Sequence, residues 1–378
     1  MSQASADQLQ ANGVIDMSKQ QIGEHREQID AIDLQILGLL NQRARHALDI
    51  ARFKGAGNLP EFAPEREKAV LKGIIEANRG PLPDAALKVI FTEVISACRS
   101  LQRPLKVAFL GPEATFSHQA VLQHFGSSCE LAPQATIIDV FDEVERGHSQ
   151  VGVVPVENSS EGGVSVTLDQ LLASGLKVCG EVYSRVSQML MAGGGSLEEV
   201  RKVYSHPQAL SQCRAWLRRN LPKAALLEAS STAAAARQTL EEPGAAAVGG
   251  ELTARHYGLH ILAKEIQDNP LNTTRFFVLC REACPPTGGD KTSIIFVAAH
   301  KPGSLYDALG YLSERGLNLT RIESRPTKDR PWEYAFFVDF EGHQSDPSVA
   351  EALAELAANV DSLKVLGSYP QGETGLAS

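Results

Sequence analysis

Asn272-Thr273-Thr274-Arg275-Phe276 sets an amide, two hydroxyls, a fixed cation and an aromatic ring on consecutive residues, at the mouth of an apolar strand expected over 276–279. Hydroxyls beside a permanent cation suit proton donation to an anionic ring. A second segment, residues 151–163, opens from an apolar strand into Glu157, Asn158, Ser159 and Ser160 and then into Gly162 and Gly163. No other set competes with these two. Cys98, Cys129, Cys179, Cys213, Cys280 and Cys284 form no CxxC pair and no zinc-type spacing with histidine, and GxSxG, GxGxxG and phosphate-loop patterns are absent. The expectation is chemistry that needs no metal and no nicotinamide.

Such residues need a scaffold, and 378 residues suggest two or three domains. The boundaries fall at 17–103, 104–284 and 291–370. Over 22–50 apolar residues recur with helical spacing and without Gly-Pro punctuation, which at about 1.5 Å per residue gives a helix of roughly 50 Å. That is more than a small domain covers, so a second chain is expected along it. Gly55-Ala56-Gly57-Asn58 ends this helix, Pro64 suits the first turn of the next, and a third runs over about 84–102.

Past Arg103-Pro104 short apolar strands at 107–110, 151–154, 178–180, 203, 225–227, 245–248 and 276–279 alternate with helical patterns, an α/β arrangement with a mainly parallel sheet. Polar groups follow several strands, the usual ligand position in open α/β sheets. Among them are Gly111 to Thr115, Ser205-His206-Pro207-Gln208 and Ser230-Ser231-Thr232. Thr115 and Ser231 also suit helix caps. After the Pro285-Pro286 and Gly288-Gly289 linker the pattern reads βαββαβ, with strands at 292–298, 319–324, 334–340 and 365–368 and helices at 304–314 and 347–358.

Composition bounds the partners. Hydrophobic residues at 43% and charged residues at 21% are globular values, and a net charge of -9 argues against nucleic acid. The first residues are small and polar, and no stretch reaches the roughly 18 apolar residues of a membrane span. A reduced, cytoplasmic protein is expected.

The two polar segments resemble the signature segments of prephenate dehydratases. The helical first third resembles the all-helical chorismate mutases and the last stretch an ACT domain, so the whole chain resembles the bifunctional chorismate mutase/prephenate dehydratase family. The resemblance implies three parts: an all-α mutase, a two-lobed α/β dehydratase like the periplasmic binding proteins, and a ferredoxin-like ACT domain. Gly193-Gly194-Gly195 would lie near the entry into the second lobe and the 267–270 stretch near the return. No cofactor is implied; chorismate and prephenate are the substrates, phenylalanine the inhibitor, and a homodimer the assembly.

Residue roles follow from the same resemblance. Thr274 would assist departure of the ring hydroxyl, alone or through a relay with Glu157. Arg275 would hold a substrate carboxylate and Phe276 shape an apolar wall. Asn158, Ser159 and the amides after Glu161 would position the anion, with Thr115 and Ser231 among the substrate-binding residues. Gly303, Ser304 and Leu305, facing Glu323, Ser324, Arg325 and Pro326, would bind phenylalanine, Ser304 replacing the commoner alanine. Truncation after Pro286 would leave an active dehydratase indifferent to phenylalanine.

In the mutase part the family spacing selects Arg26, Arg43, Lys54, Arg66, Glu67 and Gln102, with Cys98 where serine is frequent. Arg43 and Lys54, eleven residues apart, are about 20° out of register on one helix, whereas Arg26 lies about 100° away. The resemblance puts Lys54 and Gln102 at the breaking ether oxygen, Arg26 and Arg43 on carboxylates and Glu67 on the hydroxyl. Spacing alone fits solvated charges on a dimerisation arm equally well. Two alternatives therefore stay open, a dehydratase with an inactive helical arm and a non-catalytic amino-acid sensor.

Overall fold

The structure, a computed structural model, describes residues 3–57, 62–327 and 333–373, with side chains for 20–53, 62–327 and 333–373. It forms two compact units, Met1–Glu61 with Cys98–Arg103, and Phe62–Ala97 with Pro104–Ser378. The first is dominated by helix α1, Gln3–Gly57, 55 residues long and thus about 80 Å at about 1.5 Å per residue. It starts well before the expected position and runs through Gly55. Ile29, Leu34, Leu37, Leu39 and Phe53 remain exposed on it.

The second unit opens with α2, Pro64–Ala77, whose first-turn proline gives up an N–H that would have no helical partner anyway. Helix α3 spans Asp84–Ser100. The first α/β lobe has strands β1 Lys106–Leu110, β2 Glu130–Gln134, β3 Val151–Asn158, the short β4 Gly162–Gly163 and β5 Lys177–Arg185. The second lobe has β6 Met189–Ala192, β7 Lys202–Ser205, β8 Ala225–Glu228, β9 Ala245–Gly249 and β10 His260–Ala263. Strand β11, Thr273–Cys280, returns to the first sheet, whose order is β2-β1-β3-β11-β5 with β4 on β3; the second is β10-β6-β9-β7-β8.

One expectation changes here. Both sheets are mixed rather than mainly parallel, because β11 is antiparallel to β3 and β5, and β6 is antiparallel to β9 and β10. The chain enters the second lobe between β5 and β6, shortly ahead of Gly193, and the return falls at the 267–270 stretch.

The third sheet has β12 Asp290–Val297, β13 Leu319–Pro326, β14 Tyr334–Glu341 and β15 Ser362–Pro370 in the order β13-β14-β12-β15, with helices Ser304–Ser313 and Pro347–Asn359. This is the ferredoxin-like layout. One face, with Ile294, Phe296, Val338 and Phe340, packs on those helices. The other, with Ile295, Ala335, Phe337 and Tyr369, shares a core with Val178 and Phe277 of the first lobe. The strand alternation thus welds the last sheet to the first lobe. No helix among the described residues is long and apolar enough to cross a membrane.

Candidate active site

Strand β11 begins at Thr273, three residues earlier than expected, so Thr274 and Arg275 belong to the sheet. Pairing sets Thr274 opposite Asn158 and Arg275 opposite Glu157. Opposed residues of an antiparallel pair share a face and successive residues alternate, so Thr274 and Asn158 point one way and Arg275 and Glu157 the other.

On the first face Asn158, 6% exposed, donates from Nδ2 to Thr274 Oγ1 at 2.9 Å and to Asn272 Oδ1 at 2.8 Å. Its Oδ1 accepts from the Ser160 amide at 2.9 Å, so the side chain is fixed at both ends. With its oxygen accepting from Asn158, the Thr274 hydroxyl keeps its own hydrogen for a partner in the cleft. Ser159 is spent on structure: Oγ accepts from the Thr273 amide at 3.0 Å.

On the opposite face Arg275 is buried and donates to Glu181 at 2.8 Å, Asp339 at 2.5 Å and the Tyr369 hydroxyl at 3.0 Å. Lys291 completes the cluster, 3.0 Å from Glu181. Burial alone would lower the pKa of Arg275, but Tyr369, Asp339 and Glu181 outweigh it and push it up. Its expected role as a clamp on a substrate carboxylate is therefore corrected, because its donors are committed behind the sheet. The relay from Thr274 to Glu157 is corrected for the same reason: Glu157 faces Arg321, with Oε2 3.1 Å from Nε. Phe276 is not a cleft wall either; at 1% exposure it packs with Phe109, Val153 and Val182 in the core.

The turn after β1 is held by His118, whose Nδ1 accepts from the Ala114 amide at 2.9 Å. Ala114 has φ 64°, a strained left-handed conformation for alanine, and its carbonyl accepts from Thr253 of the second lobe at 2.6 Å. Burial lowers the pKa of His118, which keeps Nδ1 free to accept. Thr115 occupies a cap position without making the cap bond; its hydroxyl donates to the Pro112 carbonyl at 3.0 Å. Ser231 does cap its helix, accepting from the Ala234 amide at 2.9 Å. His206 likewise caps, through Nδ1 to the Gln208 amide at 3.3 Å.

Sequence reasoning missed the bonds across the cleft. Glu161 accepts from Gln208 at 2.6 Å and Gln212 at 3.0 Å, and Asn269 donates to Ser160 at 3.1 Å. Gln212 carries no motif signal at all. A separate cavity of about 570 Å³ lies between α2, β5 and the residues after β15. It is lined by Glu67, Lys68, His124 and Tyr183 and not by Thr274. Of the other mutase candidates, Arg26, Arg43 and Gln102 belong to the first unit and Arg66 to the second. The side chain of Lys54 lies outside those described.

Family models match in series: Chorismate mutase type II over residues 25–103, Prephenate dehydratase over 107–284 and ACT domain over 292–358. The chain is 48% identical to the bifunctional chorismate mutase/prephenate dehydratase of Aquifex aeolicus (strain VF5), over 93% of this chain and 98% of that one. The chain belongs to the bifunctional chorismate mutase/prephenate dehydratase family. It is 44% identical to the Pseudomonas aeruginosa protein of the same name, over 92% of this chain and 96% of that one. The prephenate dehydratase of Arthrobacter aurescens, solved in complex with L-Phe, is similar at TM-score 0.66 and 36% identity, over 72% of this chain and 92% of that one.

As a member of the bifunctional chorismate mutase/prephenate dehydratase family the chain is both an isomerase and a lyase. Matches to both catalytic domains set aside the inactive arm and the non-catalytic sensor. The phenylalanine candidates split between two faces of the last sheet. Ser324 is paired with Phe336, which packs on the helix side, the side of Leu305. Glu323 and Arg325 turn toward the dehydratase, where Arg325 donates to Ser165 at 2.7 Å and Asp169 at 3.0 Å. Both therefore reach the first lobe.

Proposed function

We propose that in the dehydratase reaction Thr274 donates its hydrogen to the departing ring hydroxyl of prephenate, with Asn158 fixing the threonine oxygen. Prephenate releases its ring carboxylate as CO₂ while the hydroxyl leaves as water, so one proton must reach that oxygen as the C–O bond breaks. A hydroxyl oriented by a buried amide passes its proton to the leaving oxygen as it takes one from solvent water in the cleft, so threonine ends neutral and the proton consumed comes from water. The Asn158–Thr274 bond at 2.9 Å carries the reading. Asn272, Ser160 and the Glu161 bridge to Gln208 and Gln212 keep the cleft in register around it.

In the mutase half the rearrangement is pericyclic, so the protein supplies restriction and charge rather than acid or base. Lys54 and Gln102 stabilise the ether oxygen, Arg26 and Arg43 hold carboxylates, Arg66 adds charge and Glu67 binds the hydroxyl. The apolar side chains exposed along α1 support a homodimer packed through this helix. The protein works in the cytoplasm and is feedback-inhibited by phenylalanine bound at the last sheet, near Gly303, Ser304, Leu305 and Ser324. One assay tests the whole: purified protein given chorismate, with chorismate loss and phenylpyruvate appearance followed together, with and without phenylalanine. Loss of chorismate without phenylpyruvate would defeat the dehydratase roles, and indifference to phenylalanine would defeat the feedback.

A further inference from the structure

The residues that face away from the cleft on β3 and β11 lead to the last sheet by two routes of different quality. Every nitrogen of Arg275 donates, to Glu181, Asp339 and Tyr369, and Nη1 also lies 3.9 Å from Glu157. Arg321 is less well served. Its side chain is only 6% exposed; Nε stands 3.1 Å from Glu157 and Nη2 3.7 Å from Glu323, yet neither nitrogen makes a hydrogen bond. A buried guanidinium with unmade bonds beside two carboxylates is under-satisfied in this arrangement, and a small shift toward either carboxylate would complete it. Two states are open to it, one on Glu157 and one on Glu323, with Glu157 the nearer here.

The surroundings connect those states to both ends of the molecule. Glu323 and Arg321 press on Gly163, where an added Cβ would lie 3.1 Å from the Glu323 carboxyl and 3.2 Å from Arg321 Nη2. Gly163 in turn pairs with Glu157, next in sequence to Asn158. On β13, Glu323 is followed by Ser324, whose side chain turns to the opposite, helix-side face of the sheet. A ligand against Ser324 therefore acts one residue away from the carboxylate that competes for Arg321.

We propose that Arg321 is the coupling residue between the last sheet and the dehydratase cleft, exchanging its partner from Glu157 to Glu323 when phenylalanine binds. Release of Glu157 loosens the end of β3, and the Asn158–Thr274 bond loses its alignment. Arg275 stays paired in both states and keeps the sheets joined while the end of β3 moves. The inference rests on the feedback reading above and deepens it, since an effector shifts only an equilibrium between states it binds unequally.

The test uses the full chain with Arg321→Met and Arg321→Lys, measuring dehydratase turnover against phenylalanine concentration and phenylalanine binding by equilibrium dialysis. In Arg321→Met, which releases Glu157 without any ligand, phenylalanine binding is expected to stay within about threefold of the parent, while turnover in the absence of phenylalanine falls about tenfold or more and responds little to added phenylalanine. Arg321→Lys, which keeps the charge, is expected to fall between the two and stands in if the methionine variant does not fold. Unchanged inhibition in a folded variant overturns the coupling role, as does a proportional loss of binding and inhibition, which would put Arg321 in the ligand site. A parent indifferent to phenylalanine would instead defeat the feedback reading, and the coupling with it.

Discussion

Asn158 donates to the hydroxyl of Thr274 across the β3–β11 pair at 2.9 Å, and the same amide nitrogen donates to Asn272 at 2.8 Å. The buried amide directs the threonine hydrogen outward. Thr274→Val keeps the shape and removes the donor, so dehydratase turnover is expected to fall by about two to four orders of magnitude with a smaller change in KM. Steady-state kinetics on prephenate checks this, and near-parental turnover would remove Thr274 from the acid role.

Arg275, the next residue, separates a structural from a substrate-binding role. Arg275→Met leaves Glu181 and Asp339 buried with less compensation, and a loss of about 3–5 kcal/mol of stability is expected. Thermal or denaturant unfolding measures it. A variant with parental stability and a raised KM for prephenate would restore the carboxylate clamp.

The same pair of residues shows what the sequence can and cannot display. Thr274 and Asn158 are legible because each sits in a short run of polar groups next to apolar strand residues. The βαββαβ order is legible because its strands and helices alternate clearly in period. The role of Arg275 is not, because it depends on which side of the sheet one residue falls, and β11 begins at Thr273 rather than at Phe276. Its partner Asp339 lies 64 residues further on. Strand direction was hidden for a related reason, since an apolar run reads alike whether its neighbour is parallel or antiparallel. Cys179, Cys280 and Cys284, scattered in the chain, meet in one cluster.

Lys54 and Thr274 belong to different compact units. Lys54→Ala is expected to abolish mutase turnover and leave prephenate dehydration within about twofold, because charge at the ether oxygen serves only the first reaction. Two assays on one folded variant decide it. A parallel fall in both activities would contradict separate sites.

His118 gives a pH dependence with a defined sign. Burial lowers its folded pKa below the ordinary 6.5, so on acidification the unfolded chain takes up the proton first. Stability is unaffected by this group above about 6.5 and declines as pH falls from there toward the folded pKa. His118→Gln, which can still accept from Ala114, is expected to flatten that decline. Unfolding free energies of parent and variant between about pH 7.5 and 5 check this; a difference that does not change with pH would clear His118.

The shared core alters what removal of the last domain should do. Sequence pattern alone suggests a separable dehydratase ending near Pro286. Yet Ile295, Phe337, Leu366 and Tyr369 pack in one cluster with Val178 and Phe277 of the first lobe. Asp339 and Lys291 also compensate Arg275 and Glu181. Truncation after Pro286 would expose that apolar face and strip half of the ion cluster from a site that water would then enter. The truncated chain is expected to unfold about 10 °C or more below the parent, or to aggregate, and to lose turnover together with folding. Parallel thermal unfolding and dehydratase assays on both chains provide the check, and a truncated enzyme with parental unfolding temperature and turnover would show that the last sheet is an independent regulator rather than part of the catalytic core.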